Sequence, residues 1–238
     1  MKNITLLPGW ALAPENMQPL REALLERLPG INVDILPLPT IQLSSLETDL
    51  SSLAQQIKPG VLIGWSLGGM LAVQLHRRFP EHFAQVATLA ANACFVERKN
   101  WTAAMPTETF KAFYNDYRDA PDKTLKRFGL LVAQGSAEAR QLAKQLTWDK
   151  LNPEHRLHGL AVLGMLDNRV PLSRPTQPML HCLGALDALV PEQAAQAIAA
   201  LHDGSQVAVH AQAGHALPLE QPLWLAEQIA GWLERRHA

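Results

Sequence analysis

The sequence predicts an α/β fold in which a mostly parallel sheet is flanked by helices and interrupted by a helical insertion. Short apolar runs of strand length recur along the chain, and helical patterns separate them. This alternation stops between residues 96 and 170, where helical patterns follow one another without a strand. We therefore expect one core formed by residues 1–95 and 171–238, with a helical lid inserted at 96–170.

Six apolar runs form the predicted sheet. Each is mostly apolar on both alternating faces, as in parallel strands that are buried on both sides. In chain order they are ITLLPG near the start, NVDILPLP at 32–39, GVLIGW at 60–65, QVATLAA at 85–91, PMLHCLG at 178–184 and SQVAVH at 205–210.

Helical patterns occupy the intervals between these runs. Met17, Leu20, Leu24 and Leu28 share one face of a first helix. The other core patterns are SSLETDLSSLAQQI at 44–57, GGMLAVQLHRRF at 68–79, PEQAAQAIAALH at 191–202 and PLWLAEQIAGWLERR at 222–236. The insertion contributes PTETFKAFYNDYRD at 106–119, PDKTLKRFGLLVAQG at 121–135 and SAEARQLAKQLTW at 136–148.

Composition excludes several classes of function. The 238 residues carry a net charge of −1, which gives no overall attraction to nucleic acid or to an anionic membrane. The insertion is the positive part, with twelve Lys and Arg against nine Asp and Glu. Cys94 and Cys182 lie far apart without metal-ligand spacing, so we expect no metal, no disulfide and no cofactor. No apolar run is long enough for a membrane span. We expect a cytoplasmic monomer.

The segment Gly64-Trp65-Ser66-Leu67-Gly68 matches the pattern G-x-S-x-G. It follows the strand VLIGW and precedes a helix, which is the context of a nucleophile elbow. Its glycines make room for a tight turn that exposes the serine hydroxyl. The alternative is a glycine-rich turn that contains a serine by chance.

A serine nucleophile needs a base, and the base needs an orienting carboxylate. Among nine histidines, only His215 lies in a loop of small residues after the last strand. Asp187 follows the penultimate strand, whereas Asp203 precedes the last strand and belongs to the opposite edge of the sheet. Ser66, Asp187 and His215 thus follow three strand ends in the order typical of such triads. They are the predicted catalytic residues.

An oxyanion hole requires two backbone N–H donors. The residue after the serine, Leu67, supplies one, and the turn LLPGWAL after the first strand suggests Trp10 for the other. The Trp10 indole either forms a wall of the substrate pocket or only packs in the turn.

With these residues in place, the chain resembles the α/β-hydrolase superfamily. More narrowly, it is similar to the carboxylesterases that remove the methyl group from pimeloyl-[acyl-carrier protein] methyl ester in biotin synthesis. The anchors of this resemblance are PGW, GWSLGGM, ANACF, LDALVP and AGHALPLEQP. Pro8 stands where many relatives carry a histidine before the oxyanion residue.

The resemblance implies roles for the helical insertion. Basic residues there would grip the phosphopantetheine and the acidic carrier protein, and these correspond to Lys123, Arg127, Arg140 and Lys144. The implied substrate-binding residues are Trp10, Ser66, Leu67, Phe128, Gly129, Leu130, Leu131, Val132 and His215. Basic pairs at i, i+4 repel each other, which favours an acidic partner, although a solvated helix face is the alternative.

Three rival functions share the predicted fold. Another serine hydrolase, such as a short-chain esterase, a thioesterase or a C–C bond hydrolase, would share the triad but would not need the basic insertion. Ser66 excludes an aspartate-nucleophile dehalogenase, since the elbow carries no carboxylate. A ligand-binding receptor on the same fold would not turn substrate over.

Overall fold

A single parallel sheet forms the centre of the molecule. The computed structural model describes residues 3–235. Its strands are β1 (Asn3–Leu7), β2 (Asn32–Ile35), β3 (Val61–Trp65), β4 (Gln85–Leu89), β5 (Leu180–Gly184) and β6 (Gln206–His210). They pair in the order β2-β1-β3-β4-β5-β6, and every pair is parallel. The six predicted strands are thereby confirmed.

The strand order reverses between β1 and β3, because the chain moves from β1 outward to β2 and then returns to the other side of β1. In open parallel sheets, ligands bind outside the carboxyl ends of the strands at such a switch point. The segments that follow β1 and β3 contain Trp10 and Ser66. The topology therefore brings two predicted site residues to the same edge.

The described residues contain eleven α-helices besides two short 3-10 helices, Pro14–Met17 and Leu43–Ser45. They are α1 (Gln18–Arg27), α2 (Leu46–Gln56), α3 (Leu67–Arg78), α4 (Thr107–Asp119), α5 (Pro121–Ala133), α6 (Ala139–Gln145), α7 (Pro153–Met165), α8 (Arg169–Ser173), α9 (Gln193–Ala199), α10 (Leu217–Glu220) and α11 (Pro222–Glu234). β3, β4 and β5 are buried along their whole length, as expected of strands covered on both faces.

The helical insertion lies between β4 and β5 and contains five helices, α4 to α8, whereas the sequence patterns predicted three. The predicted boundary at residue 170 falls inside α8. Helix α7 was missed, although its start carries a recognisable signal: the Asn152 side chain caps it by accepting from the backbone N–H of His155 at 2.8 Å, and Pro153 follows.

Two polar features lie inside the core. His181 on β5 is buried with its Nδ1 2.7 Å from the hydroxyl oxygen of Thr88 on β4, and burial lowers the pKa of His181 to about 4. The two cysteines are buried and unpaired. Burial, followed by the nearby charge of Asp167, raises the pKa of Cys94 to about 11.

Among residues 3–235, two further kinds of feature are absent. No helix there has the length and hydropathy needed to cross a membrane. No cluster of three or more His, Cys, Asp or Glu side chains in the same range has the arrangement of a metal site.

Candidate active site

Ser66 occupies a strained turn between β3 and α3. Its backbone has φ 54° and ψ −117°, a conformation that residues other than glycine rarely adopt. Two backbone hydrogen bonds hold the turn: Ser66 N–H donates to the Leu89 carbonyl at 2.8 Å, and Met70 N–H donates to the Ser66 carbonyl at 3.1 Å. Strain that the surroundings enforce in this way is typical of functional sites.

Close backbone approach explains the glycines beside Ser66. A Cβ atom at Gly64 would lie 2.2 Å from the carbonyl carbon of Gly68. One at Gly68 would lie 2.4 Å from the carbonyl oxygen of Pro8. Real Cβ atoms do not approach backbone atoms so closely, so β3, α3 and the segment after β1 meet here only because both residues lack side chains.

His215 and Asp187 form a buried pair. Nδ1 of His215 lies 2.8 Å from Oδ2 of Asp187. Oδ1 of the same carboxylate accepts the backbone N–H groups of Leu189 at 2.7 Å and Val190 at 3.0 Å. Both carboxylate oxygens are therefore bonded, and the carboxylate fixes the orientation of the imidazole.

The loop that carries His215 is held from three sides. The Trp65 indole N–H donates to the His215 carbonyl at 2.8 Å, which joins this loop directly to the strand before Ser66. The Gly214 N–H donates to the Glu220 carboxylate at 3.0 Å. Gly184, at the end of β5, comes so close to the loop that a Cβ there would lie 2.3 Å from the Ala213 carbonyl oxygen.

The second ring nitrogen of His215, Nε2, is buried and has no hydrogen-bond partner among the described residues. A buried imidazole nitrogen without a partner carries a free-energy cost, and such costly groups are typical of functional sites. Hydrogen bonds between a nucleophile and its base are often long until substrate binds, so this geometry is compatible with a role for Ser66 and His215 together.

The turn after β1 lies against the elbow. A Cβ at Gly9 would lie 3.2 Å from the Cβ of Ser66, so the backbone that leads to Trp10 passes beside the serine. The next residue, Ala11, has φ 59° and is also strained. Leu67 is the first residue of α3, where backbone N–H groups lack partners within the helix. Both predicted oxyanion residues are thus neighbours of Ser66.

The Trp10 side chain is buried among aromatic rings of the insertion. Its ring centroid lies 5.1 Å from that of Tyr117 and 4.9 Å from that of Phe128, both in edge-on contact. Its indole N–H donates to the Arg156 carbonyl at 2.6 Å. The indole therefore packs and, as described next, also lines a cavity.

A narrow apolar cavity of about 50 Å³ lies between the insertion and the core. It is lined by Trp10, Phe95, Met105, Thr109, Phe110, Phe113, Phe128, Leu131, Leu160, Leu163 and Leu189. Leu189 follows Asp187 by two residues, so the cavity reaches the loop of the predicted triad. Ligand pockets usually measure about 300–1,000 Å³, so this cavity is smaller than a typical ligand site.

The predicted substrate-binding stretch 128–132 is divided between several environments. Phe128 and Leu131 line the cavity. Val132 is fully buried, Leu130 is 58% exposed, and a Cβ at Gly129 would meet the Trp148 ring at 3.2 Å. Only two of these five residues thus line this space, because successive residues of a helix point about 100° apart.

The four predicted docking residues are all exposed. Lys123 and Arg127 lie on α5, and Arg140 and Lys144 lie on α6, which packs against α5. The Arg127 guanidinium pairs with the Asp116 carboxylate at 2.7 Å and lies 5.6 Å from the centre of the Phe113 ring. Asp116, on the neighbouring helix α4, thus offsets part of the repulsion along α5.

Several residues around the site were not singled out from the sequence. Phe110 and Phe113 line the cavity from α4, and Leu160 and Leu163 line it from α7. The i, i+3 spacing within each pair could have identified a shared helix face, but nothing in the sequence indicated that α7 packs against α4.

Comparison with known proteins identifies the family of the chain. Residues 6–228 match the model of the alpha/beta hydrolase family. The biotin biosynthesis bifunctional protein BioHC of Cellvibrio japonicus is 36% identical over 97% of this chain and 47% of its own length. The pimeloyl-[acyl-carrier protein] methyl ester esterase of Aromatoleum aromaticum is 31% identical over 92% of this chain and 93% of its own.

The structural comparison agrees on the fold. An esterase from Exiguobacterium antarcticum superimposes with a TM-score of 0.79 at 19% identity, covering 98% of this chain and 92% of its own. The chain spans between about a third and about half of the length of the three bifunctional relatives that it matches. The predicted α/β-hydrolase fold is confirmed, and the chain belongs to the alpha/beta hydrolase family.

Proposed function

We propose that this chain is a serine carboxylesterase that hydrolyses the methyl ester of pimeloyl-[acyl-carrier protein], releasing the pimeloyl carboxylate needed for biotin synthesis. The observation that supports the chemistry is the buried pair of His215 and Asp187, in which Nε2 of His215 has no hydrogen-bond partner among the described residues. The loop that carries His215 is hydrogen-bonded to Trp65, the residue before Ser66. The substrate is inferred from relatives whose names specify this ester and from the basic surface of the insertion.

The proposed reaction proceeds in two steps, acylation of Ser66 and hydrolysis of the acyl-serine. His215 Nε2 takes the Ser66 proton while Oγ attacks the ester carbonyl, and Asp187 holds Nδ1–H and stabilises the imidazolium. The backbone N–H groups of Trp10 and Leu67 bind the oxyanion. The imidazolium returns its proton to the leaving methoxide, so methanol departs and an acyl-serine remains. Water, deprotonated by His215, then releases the acid and restores Ser66.

The apolar cavity supports binding of the acyl chain. Its lining consists of aromatic side chains, leucines, Met105 and Thr109, and it includes Trp10 and Phe128. A methylene chain that enters such a space gains about 0.8 kcal/mol for each CH₂ that it buries. We propose that α4, α5 and α7 move apart to admit the chain, which makes the insertion at 96–170 the lid of this site.

The basic surface supports recognition of the carrier. Lys123, Arg127, Arg140 and Lys144 project from two adjacent helices, and their charges would attract a phosphate and acidic side chains. Arginine can bind a phosphate with two parallel N–H donors, whereas lysine acts as a point charge. We propose that the carrier docks here and that its prosthetic group threads towards the cavity.

The test compares Ser66→Ala with Ser52→Ala, an exposed serine of α2, by measuring methanol release from pimeloyl-[acyl-carrier protein] methyl ester. Losing such a nucleophile lowers kcat by about 10⁶-fold. We expect Ser66→Ala to fall to background and Ser52→Ala to match the wild type. If Ser66→Ala kept more than about a hundredth of the wild-type rate, the proposed role of Ser66 would be wrong.

The small volume of the cavity favours one alternative, a short-chain esterase. Such an enzyme would hydrolyse a p-nitrophenyl acetate at least as well as the carrier-bound ester. A kcat/KM that is higher for the carrier-bound ester than for the acetate would exclude it.

A further inference from the structure

The backbone that presents the Trp10 N–H needs external support. Gly9 and Leu12 close a turn through the Leu12 N–H, which donates to the Gly9 carbonyl at 3.2 Å. Between them, Ala11 adopts φ 59°. A non-glycine residue keeps this conformation only when its surroundings enforce it, so the contacts of the Trp10 loop (residues 8–13) determine where its amides point.

That support comes from the helical insertion. Leu12 and Trp148 form an antiparallel β-bridge. On either side of it, the Ala13 N–H donates to the Thr147 carbonyl at 3.0 Å, and the Asp149 N–H donates to the Ala11 carbonyl at 2.9 Å. The strained peptide after Trp10 is therefore held by the backbone of residues 147–149.

A buried ion pair fixes this part of the insertion. The Arg156 side chain at the start of α7 donates from Nε to Asp149 Oδ1 at 2.7 Å and from Nη2 to the Asp149 carbonyl at 2.6 Å. Both side chains are only 12% exposed. Buried charges that are paired with good geometry hold their neighbours in one arrangement.

The Trp10 loop is attached to both members of this pair. The Ala11 carbonyl accepts from the Asp149 N–H, and the Trp10 indole donates to the Arg156 carbonyl. The ion pair connects these two attachment points and sets the distance between them.

We propose that Asp149 and Arg156 are positioning residues for ester hydrolysis: their ion pair holds the Trp10 loop so that the Trp10 N–H points at the developing oxyanion. This inference rests on the proposed function, since it assumes that the Trp10 amide is an oxyanion donor. In this proposal neither side chain touches the substrate. Both act through the backbone of the loop.

The test uses Asp149→Ala, Arg156→Met and the double variant. We expect each to lower kcat for p-nitrophenyl butyrate by about 10- to 100-fold with KM changed less than about threefold, because a misplaced oxyanion donor weakens transition-state binding. The double variant should lose no more than either single variant, since the residues act as one unit.

A second readout separates positioning from mere stability. A trifluoromethyl ketone adds reversibly to a serine as a tetrahedral oxyanion, so its Ki should rise by the same factor as kcat/KM falls, at a temperature well below each variant's Tm. Asp167→Ala is the matched control, because Asp167 also forms a 2.7 Å ion pair within the insertion, with Arg169, but the Arg169 guanidinium donates to the Lys99 carbonyl and not to the Trp10 loop. It should leave kcat and Ki unchanged.

Trp10→Phe and Arg156→Lys extend the test if Asp149→Ala does not fold. Trp10→Phe removes the indole N–H donor together with part of the ring, and it should lower kcat and raise Ki by the same factors as the Asp149 and Arg156 variants. Arg156→Lys keeps the positive charge and should therefore retain more of the wild-type kcat than Arg156→Met does. Wild-type kcat and Ki in all folded variants would overturn the positioning role while an inactive Ser66→Ala still upheld the proposed function. An active Ser66→Ala would instead refute the proposed function itself.

Discussion

The substitution Asp187→Asn isolates the role of the buried carboxylate with little change in shape. Oδ1 accepts two backbone N–H groups, from Leu189 and Val190, and Oδ2 accepts Nδ1–H of His215. In the variant, the amide oxygen must keep facing the two N–H groups, because the amide NH₂ would otherwise meet two donors. The NH₂ therefore faces His215.

This orientation reverses the hydrogen bond to the imidazole. With an N–H donor opposite, Nδ1 of His215 must accept, so its proton moves to Nε2 and the ring can no longer take the Ser66 proton. In a serine protease the same exchange lowers kcat by about 10⁴, which corresponds to about 5 kcal/mol of transition-state stabilisation. Because all three hydrogen bonds are retained in number, Tm should change by only a few degrees.

The assay is steady-state hydrolysis of p-nitrophenyl butyrate, together with thermal unfolding of each variant. Asp203→Asn is the matched control: Asp203 is exposed and precedes β6, at the opposite edge of the sheet. It should keep wild-type kcat. A kcat for Asp187→Asn within about tenfold of the wild type would refute the assignment of Asp187 as the orienting carboxylate.

Three further substitutions test the surroundings of the site. Gly68→Ala places a Cβ 2.4 Å from the Pro8 carbonyl oxygen and should lower both Tm and kcat, whereas Gly231→Ala on α11 meets only the end of a flexible side chain and should change neither by much. Leu131→Trp should fill the cavity and raise KM for long acyl esters about tenfold while sparing p-nitrophenyl acetate. His181 has a pKa of about 4 in the fold against 6.5 in a free chain, so the unfolded state alone gains a proton as pH falls between these values. The protonation of this one histidine should therefore lower the free energy of unfolding by about 3 kcal/mol between pH 7 and pH 4. In denaturation experiments at several pH values, His181→Gln should lack this contribution. A folded Gly68→Ala with wild-type activity, an unchanged KM in Leu131→Trp, or equal acid sensitivity in His181→Gln would each contradict the corresponding argument.

The core of the fold could be predicted because its signals are local. Each strand is a short apolar run, and the order of strand ends determines which loops reach the carboxyl edge of the sheet. Ser66, Asp187 and His215 were located by that reasoning, and the structure brings His215 and Asp187 to 2.8 Å. Their catalytic roles remain predictions.

The insertion was harder to predict because its contacts are distant in sequence. The support of the Trp10 loop comes from residues about 130 to 150 positions away, and periodicity carries no information about such pairings. Likewise, the partner of Arg127 is Asp116 on another helix, not the acidic neighbours on its own. Phe128 and Gly129 are adjacent in sequence but face the cavity and Trp148, respectively.

The most direct test of the proposed function compares two substrates across two charge-reversed variants. The variants are Lys123→Glu/Arg127→Glu on α5 and, as a matched control, Arg27→Glu/Lys58→Glu, two exposed cations outside the insertion. We predict that only the α5 variant loses kcat/KM on pimeloyl-[acyl-carrier protein] methyl ester, by about tenfold or more, while both variants hydrolyse p-nitrophenyl butyrate at the wild-type rate. Equal rates for all three proteins on the carrier-bound ester would contradict carrier docking at this surface and leave an esterase without a carrier site there.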